Sequence, residues 1–401
     1  MLVVSPQKVQ KMQKQRYLEK SILEDLNEKM VFIGGARQVG KTTLAKDIIA
    51  KIFDQSTYYN WDYQPDRKRI TSGELPGDNS LLIFDEIHKY KKWKTLIKGI
   101  YDTQKDRYKI LVTGSARLNI FRKSGDSLQG RYHYYTLHPF SLAELENISA
   151  EMNPFREILF RPQNYSTTFE SLFTYGGFPE TFISQDERIL RRWHNEKLER
   201  LFREDIRDVE NIRDIGSMKL LGDILPSKAA SPLSINNLRE DLEVSHRAIT
   251  SWLNILESFY YHFRIYPYTS RLIRSIKKEP KIYLYDWSEI ENEGARFENL
   301  VASHLLKFTN YLYEKEGYKA ELFYLRNVDK KEVDFLVTID NKPWFAVEVK
   351  LSDTSPSSNL IYFKERLKIP FNYQVVKKAG ADIVKNEIRV ISGGKFLSGL
   401  V

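Results

Sequence analysis

The sequence predicts an α/β protein of several domains, the first of which is a parallel sheet covered by helices. Apolar strand patterns alternate with helical patterns in the first part of the chain, at VFIGG, STYYNWD, SLLIFDE, YKILVTGS and YHYYTLHPF. A glycine-rich loop joins the first of these strands to a helical pattern. A chain of 401 residues can form roughly two to four domains with separate cores. We therefore expect the first domain to span residues 1–165.

Composition and charge limit the classes of function. The net charge of +9 and the isoelectric point near 9.2 favour anionic partners, nucleic acid first, although lysine-rich surfaces can also serve solubility alone. The absence of cysteine excludes disulfides, zinc–thiolate sites and thiol catalysis, and it favours the cytoplasm. The N-terminal apolar run is too short for a signal peptide, and no stretch reaches the roughly 20 apolar residues of a spanning helix. We expect a soluble cytoplasmic protein without membrane contact.

The loop after the first strand has the composition of a phosphate-binding loop. Gly35, Gly40, Lys41 and Thr42 match the pattern GxxxxGKT between a strand and a helix. Glycines allow backbone amides to surround phosphate oxygens, and the start of the helix adds a partial positive charge. The lysine suits the β and γ phosphates, and the threonine suits a magnesium ion. We expect ATP to be bound by Gly35, Ala36, Arg37, Gln38, Val39, Gly40, Lys41, Thr42 and Thr43.

An acidic pair follows the buried strand pattern SLLIF. Asp85 suits direct or indirect binding of Mg²⁺, and Glu86 suits the polarisation of an attacking water. An acidic pair after one strand is a weak signal, but it becomes strong downstream of a phosphate-binding loop. His88 could also be catalytic, but a packing or surface histidine is the simpler interpretation, because the seven histidines show no metal-ligand spacing.

The middle of the chain divides into a helical segment and a smaller unit. Residues 166–225 are helical, with a break at YGGFPE and a long charged helix at RRWHNEKLERLFREDIRDVENI. Residues 226–285 follow the order helix, turn, helix and strand pair, which predicts a winged helix-turn-helix. Ser245 is a good N-cap for the second helix, and Arg247 would lie near its start. A packing module that makes no DNA contact is the alternative.

The last unit, residues 286–401, contains a predicted hairpin made from EVDFLVTI, the turn DNKP and WFAVEVKL. Alternation assigns Phe345, Val347, Val349 and Leu351 to one buried face, with Ala346, Glu348 and Lys350 on the other. The simplest interpretation is a half-exposed strand with an ion pair. However, Asp334 would face Glu348 across the hairpin, and facing carboxylates repel unless a cation, typically a divalent metal, lies between them. Lys350 could then hold a hydroxide or the charge developing on a phosphorus.

This D-(x)13-E-x-K pattern resembles the PD-(D/E)xK endonuclease-like fold, over residues 290–385. The resemblance implies that Glu298, on the preceding helix ARFENLVASHLLKF, completes a metal site with Asp334 and Glu348, and that Lys350 assists cleavage. The alternative is an inactive fold whose carboxylates are neutralised by Lys350 and by basic neighbours such as Lys330 and Lys331.

Together, the motifs resemble the prokaryotic AAA+ ATPases that join an ATPase core to a C-terminal endonuclease-like domain, over nearly the full chain. The resemblance implies that residues 166–225 form a lid, that Ser115 rather than Thr113 is the sensor at the end of ILVTGS, and that Arg131 is an arginine finger. A salt bridge or a DNA contact is the alternative for Arg131. Arg37 could sense nucleotide or lie exposed. A homo-oligomer is expected.

Three functions follow from these observations. The first is a Mg²⁺-dependent ATPase that acts on DNA and controls a C-terminal DNA-binding or DNA-cleaving domain. The second is a conformational switch driven by ATP, with an inactive endonuclease-like binding module. The third is a transcription regulator that uses the winged helix. The clustered carboxylates favour the first function, because they would repel DNA phosphates in a pure binding module.

Overall fold

The computed structural model describes residues 15–77, 80–114, 128–149, 153–206, 214–269 and 279–401. The strands are β1 Met30–Gly35, β2 Ser56–Asn60, β3 Ser80–Asp85, β4 Tyr108–Thr113, β5 Tyr132–Leu137, β6 His262–Pro267, β7 Lys281–Leu284, β8 Ala320–Arg326, β9 Glu332–Ile339, β10 Lys342–Lys350, β11 Phe371–Val376, β12 Asp382–Lys385 and β13 Ile388–Ser392. The helices are α1 Glu19–Asp25, α2 Gln64–Ser72, α3 Trp93–Gln104, α4 Leu142–Leu145, α5 Ser166–Tyr175, α6 Pro179–Ser184, α7 Glu187–Arg200, α8 Ile215–Ile224, α9 Ile235–Asp241, α10 His246–Ser258, α11 Glu293–Glu314, α12 Ser358–Leu367 and α13 Gly393–Ser398.

The predicted parallel sheet is confirmed. Its five strands run in the order β2-β3-β4-β1-β5, and each neighbouring pair is parallel. β1 and β3 are buried along their whole length, as expected for strands covered on both faces. Because β4 lies between β1 and β3, the carboxyl ends of these three strands meet at one edge. The phosphate-binding loop and the acidic pair lie at that edge.

The helix after the phosphate-binding loop is irregular. A π-helical stretch, Thr43–Ile48, runs into a 3-10 turn, Ile49–Ile52. Leu44, Ala45 and Ile49 from this segment are buried in the main core. The segment therefore packs against the sheet on one side while its start carries the phosphate-binding loop.

The predicted helix pair and strand pair of the middle unit are present, but the strands have a second role. The Ser245 hydroxyl accepts a hydrogen bond from the Ala248 amide and so caps α10, and the helix buries Ile249, Trp252, Leu253 and Leu256. The antiparallel pair β6–β7 also joins β8 at the edge of the C-terminal sheet. The strand pair thus also extends the C-terminal sheet.

The C-terminal sheet is mixed, with eight strands in the order β12-β13-β11-β10-β9-β8-β6-β7. The predicted hairpin is confirmed, with β9 and β10 antiparallel. Its turn is tighter than DNKP, because Asp340 and Asn341 alone have left-handed backbones, with φ of 50° and 61°, while Lys342 and Pro343 lie in β10.

The interpretation of WFAVEVKL as a half-exposed strand with an ion pair is wrong about exposure, although the Glu348–Lys350 pair is present. Residues 344–349 are all buried, and Leu351 lies beyond the strand with 39 % of its surface exposed. The reason is that β10 is a central strand covered on both faces. Phe345 and Val347 pack in the same core as helix α11, while Ala346 packs with Leu360 and Phe363 of α12.

Among the helices that the structure describes, α11 is the longest, and it lies between the two sheets. It contacts β5 of the first sheet as well as β7, β8, β9 and β10 of the second. The residues buried along it include Phe297, Leu300, His304, Lys307 and Phe308. Within the described segments, no helix combines the length and apolar character needed to cross a bilayer.

Candidate functional site

The lysine of the phosphate-binding loop is hydrogen-bonded to backbone carbonyls at the start of the same loop. The Lys41 Nζ atom donates hydrogen bonds to the Gly35 carbonyl at 2.9 Å and to the Ala36 carbonyl at 2.7 Å. Gly35 and Gly40 have φ of 144° and 100°, and a Cβ at position 35 would lie 2.4 Å from the Leu137 carbonyl oxygen. Glycine is therefore required at position 35 by both backbone conformation and space. Nucleotide phosphates bound in the loop would compete with these carbonyls for the ammonium.

Asp85, at the carboxyl end of β3, accepts hydrogen bonds from three hydroxyls. Thr42 Oγ1 donates to Asp85 Oδ2 at 2.9 Å, and the Tyr58 hydroxyl donates to the same oxygen at 2.6 Å. Thr113 Oγ1 donates to Asp85 Oδ1 at 2.6 Å. A hydroxyl and a carboxylate side by side are hard oxygen ligands, so Thr42 and Asp85 fit a magnesium ion.

Glu86 occupies a strained backbone position beside this carboxylate. Its φ is 57°, in the left-handed region, and burial raises its pKa above the ordinary value. Its Oε2 atom lies 3.7 Å from Lys89 Nζ and 3.5 Å from His88 Nε2. His88 itself is buried, in line with the packing role considered from the sequence. Glu86 thus directly follows Asp85, the carboxylate that Thr42 of the loop contacts.

Of the residues predicted as sensor and arginine finger, the structure describes Arg131 but not Ser115. Ser115 lies outside the described residues, whereas Thr113, the less favoured candidate, is the one that contacts Asp85. Arg131 forms a two-bond ion pair with Asp102, at 2.7 Å and 3.2 Å. This is the salt-bridge alternative that the sequence left open. An arginine finger at this position stays a prediction.

In the C-terminal domain, a buried lysine lies among the predicted metal ligands. Lys281 Nζ is 3.1 Å from Glu298 Oε1, 3.3 Å from Asp334 Oδ1 and 2.8 Å from Glu332 Oε1. Only 2 % of the Lys281 side chain is exposed. Burial by itself lowers the pKa of this ammonium, but Glu298, Asp334 and Glu332 raise it above its ordinary value. Lys281 therefore stays charged inside the cluster.

Glu348 and Lys350 form their own pair beside this cluster. Lys350 Nζ lies 2.8 Å from Glu348 Oε1, while Glu348 Oε2 is buried without a hydrogen-bond partner. Burial first, and then the negative charge of Asp334, raise the pKa of Glu348. The other Asp334 oxygen, Oδ2, accepts a hydrogen bond from the Val349 amide at 2.9 Å. The predicted closeness of Asp334 and Glu348 is therefore present.

The arrangement does not fit the predicted metal site. Glu298 and Asp334 share an ammonium, and a divalent ion on the same oxygens would be repelled by it. Throughout the described part of the chain, no group of three or more acidic or histidine side chains is placed to hold a metal ion. Of the lysines named in the inactive-fold alternative, Lys350 does pair with Glu348. The other two are placed elsewhere, because Lys331 packs over the Tyr362 ring and Lys330 lies in the turn before β9.

A protein-family model matches the segment that contains the first sheet and its loop. Residues 27–146 match a family model described as an AAA domain. Residues 27–146 are similar to this family and are called the AAA+ domain. Residues 166–288 and 293–394 match two further models, both described as domains of unknown function. The AAA+ domain thus contains the phosphate-binding loop, Asp85 and Glu86, while the Lys281 cluster draws on the other two segments.

Similar proteins extend over most of the chain. An uncharacterized protein of Methanocaldococcus jannaschii, MJ1544, is 26 % identical over 85 % of this chain and 79 % of its own length. A second, MJ1637, is 23 % identical over 86 % of this chain and 80 % of its own length.

Among solved structures, Thermotoga maritima RuvB has a TM-score of 0.31, with 18 % identity over 65 % of this chain and 93 % of that one. Aeropyrum pernix ORC1 in complex with DNA has a TM-score of 0.34, with 12 % identity over 74 % and 94 %. TM-scores this low do not establish a shared overall fold.

Sequence reasoning missed a cavity that the AAA+ domain forms together with the helical segment. Ala36, Arg37 and Gln38 of the loop line it together with Phe178, Trp193 and Arg200. The Arg200 guanidinium stacks over Trp193 at 5.3 Å, and its Nε and Nη2 atoms are buried without hydrogen-bond partners. Arg200 gave no signal in the sequence, because one basic residue in a charged helix is not distinguishable from its neighbours.

Proposed function

We propose that this chain is a magnesium-dependent ATPase, built on the AAA+ domain, that acts together with DNA. The observation that carries the proposal is the hydrogen bond between Thr42 of the phosphate-binding loop and Asp85 of β3, because it joins the two halves of a nucleotide site. Under this proposal the chain divides at residues 165, 225 and 285 into ATPase core, helical lid, winged helix and C-terminal domain.

Each loop residue has a definite part in this reaction. The backbone amides from Gly35 to Thr43 bind the phosphates, and Lys41 turns from the Gly35 and Ala36 carbonyls to the β and γ phosphate oxygens. Thr42 and Asp85 would hold Mg²⁺, which would neutralise charge on the phosphates. Glu86 orients and polarises the attacking water. Thr113 keeps Asp85 in place, and Arg131 completes the site of a neighbouring subunit in a homo-oligomer.

DNA is the proposed partner on the basis of charge and exposure. The chain carries nine excess positive charges, and Arg247 is exposed near the start of α10, the second helix of the helix pair. For the C-terminal domain, we favour a binding module without nuclease activity, because Lys281 neutralises the carboxylates that cleavage would use.

Equilibrium binding tests the nucleotide site directly. Titration of the purified full chain with MgATP should show one site per chain, and Lys41→Ala should weaken binding by about 100-fold, because a charge-assisted contact to phosphate is lost. Lys46→Ala is the matched control, since Lys46 follows the loop on the same helical segment and lies over the Tyr58 ring. Equal affinity of the wild type and Lys41→Ala would refute the site.

A further inference from the structure

Arg16 is a buried arginine that contacts the backbone of the phosphate-binding loop. Its Nη1 atom donates a hydrogen bond to the Val39 carbonyl at 2.8 Å, and its Nη2 atom donates to the His138 carbonyl at 2.7 Å. Its Nε atom donates to Glu144 Oε1. Only 4 % of the side chain is exposed. One guanidinium thus ties the segment before α1 to the loop, to the end of β5 and to α4.

The contact with Val39 orients a neighbouring amide. In a trans peptide unit the carbonyl and the following N–H point in opposite directions, so holding the Val39 carbonyl also fixes the direction of the Gly40 N–H. A Cβ at Gly40 would lie 3.1 Å from Arg16 Nη1, so the glycine also makes room for the guanidinium. Arg16 therefore fixes the orientation of one backbone amide in the loop whose amides would bind phosphate.

The carboxylate that holds Arg16 is shared with the C-terminal domain. Lys307 Nζ, on α11, donates to Glu144 Oε2 at 2.7 Å and to Ser141 Oγ at 2.7 Å. The side chains of Glu144 and Lys307 are only 1 % and 2 % exposed. Burial lowers the pKa of Lys307 to about 8, and the carboxylate of Glu144 opposes this lowering. Arg16, Glu144 and Lys307 form one buried charge triad.

Two more contacts fix α11 to the AAA+ domain near this triad. Glu314 accepts hydrogen bonds from the Thr136 amide at 2.8 Å and the Thr136 hydroxyl at 2.7 Å, on β5. His304 Nε2 accepts a hydrogen bond from the Leu142 amide at 3.1 Å. The same helix carries Glu298 of the Lys281 cluster, nine residues and about 13 Å along the axis from Lys307. One rigid helix therefore touches both the C-terminal cluster and the support of the nucleotide loop.

We propose that Arg16 is a positioning residue for the nucleotide phosphates, and that Lys307 on α11 couples its position to the docking of the C-terminal domain. This inference rests on the proposed ATP site and adds the domain that regulates it. With Lys307 in place, Glu144 and Arg16 are fixed and the loop is preorganised. When α11 moves away, Glu144 loses one of its two cations, and Arg16 no longer holds the Val39 carbonyl in one position.

The test compares variants of Lys307 in the full chain. Lys307→Met keeps the length of the side chain and removes its charge, whereas Lys307→Arg keeps the charge. We expect Lys307→Met to weaken binding of a fluorescent ATP analogue by about ten-fold, the effect of losing one charge-assisted hydrogen bond, and Lys307→Arg to restore most of it. The KM for ATP should rise by a similar factor, while kcat changes little, because Glu86 and Asp85 are untouched.

Lys315→Met is the matched control on the same helix. Lys315 pairs with Glu24 of α1 at 2.6 Å and does not touch the loop. Its removal should leave nucleotide affinity unchanged even where it lowers the melting temperature. A purely structural role of Lys307 would lower the melting temperature in the same way without changing the affinity of the folded protein.

Arg16→Lys gives a second, independent variant, because a lysine keeps the charge but cannot reach three acceptors at once. It should also weaken ATP binding by about ten-fold. Unchanged affinity in folded Lys307→Met or in Arg16→Lys would overturn the inference. Absence of ATP binding in the wild type would instead refute the proposed function on which the inference rests.

Discussion

The ammonium of Lys281 lies 3.3 Å from the carboxylate of Asp334, inside the cluster where the sequence predicted a divalent metal. Lys281 is on β7 and Asp334 is on β9, and the two meet because β6 and β7 extend the C-terminal sheet. A positive side chain has thus taken the position between carboxylates that a metal ion would have. The function of this domain depends on which cation these carboxylates accept.

Removing the ammonium should let the three carboxylates around it rearrange to bind a divalent metal ion. In Lys281→Met, Glu298, Glu332 and Asp334 lose their shared cation, so we expect a loss of about 3–5 kcal/mol in the free energy of unfolding without added metal. Part of this loss should be recovered with Mn²⁺ or Ca²⁺. Terbium luminescence, sensitised by the neighbouring Tyr283, should appear in the variant.

Two comparisons make the metal experiment specific. Lys281→Met with Asp334→Asn should lose the terbium signal, and Lys330→Met, at a turn lysine of the same domain, should not gain it. A wild-type chain that binds terbium as tightly as Lys281→Met, in a manner abolished by Asp334→Asn, would show that the cluster is a metal site after all.

Arg131 should act in a neighbouring subunit if it is an arginine finger. In the single chain it pairs with the exposed Asp102, so it must leave this partner to reach another site. Mixing Arg131→Ala with Lys41→Ala subunits should then recover some ATP turnover, because one intact composite site can form. Asp102→Asn, which keeps the arginine, should stay active. Mixtures that assemble but recover no turnover would exclude this role.

DNA binding should depend on salt and on Arg247. A protein that neutralises phosphates releases counterions, so affinity should fall steeply as salt rises, and Arg247→Ala should reduce the slope of log K against log salt by about one. Arg192→Ala is the control, since Arg192 is an exposed arginine on α7 that pairs with Glu196. Fluorescence anisotropy over a salt series measures both quantities. A salt-independent affinity would remove DNA as the principal partner.

Acid should weaken the triad around Glu144. Burial by itself raises the pKa of this carboxyl, but Arg16 and Lys307 bring the pKa below its ordinary value of 4.5. The stabilisation is therefore present above pH 4.5 and is lost as pH falls through the lower folded pKa, because the unfolded chain takes up the proton first. The stability advantage of the wild type over Glu144→Gln should shrink by about 1–2 kcal/mol between pH 6 and pH 3.5 in urea unfolding. A constant difference would contradict this.

Local sequence patterns were sufficient for the parallel sheet, the glycine loop and the hairpin, because each depends on neighbouring residues. They were not sufficient for contacts between distant segments. Lys281 is far from Asp334 in sequence, and nothing near it indicates that β7 will join the C-terminal sheet. Arg16 precedes the first strand, and its three acceptors come from separate parts of the chain. The burial of β10 on both faces likewise depends on two helices that the strand pattern does not reveal.

The turnover of MgATP by the purified full chain tests the central claim most directly. At saturating ATP, phosphate release by the wild type should exceed that of Glu86→Gln by at least about 100-fold, because the amide cannot polarise the attacking water. Glu86→Gln should still bind MgATP with nearly wild-type affinity, since the loop, Thr42 and Asp85 are intact. Equal phosphate release by the wild type and Glu86→Gln, or no release by the wild type with or without DNA, would contradict the assignment as an ATPase.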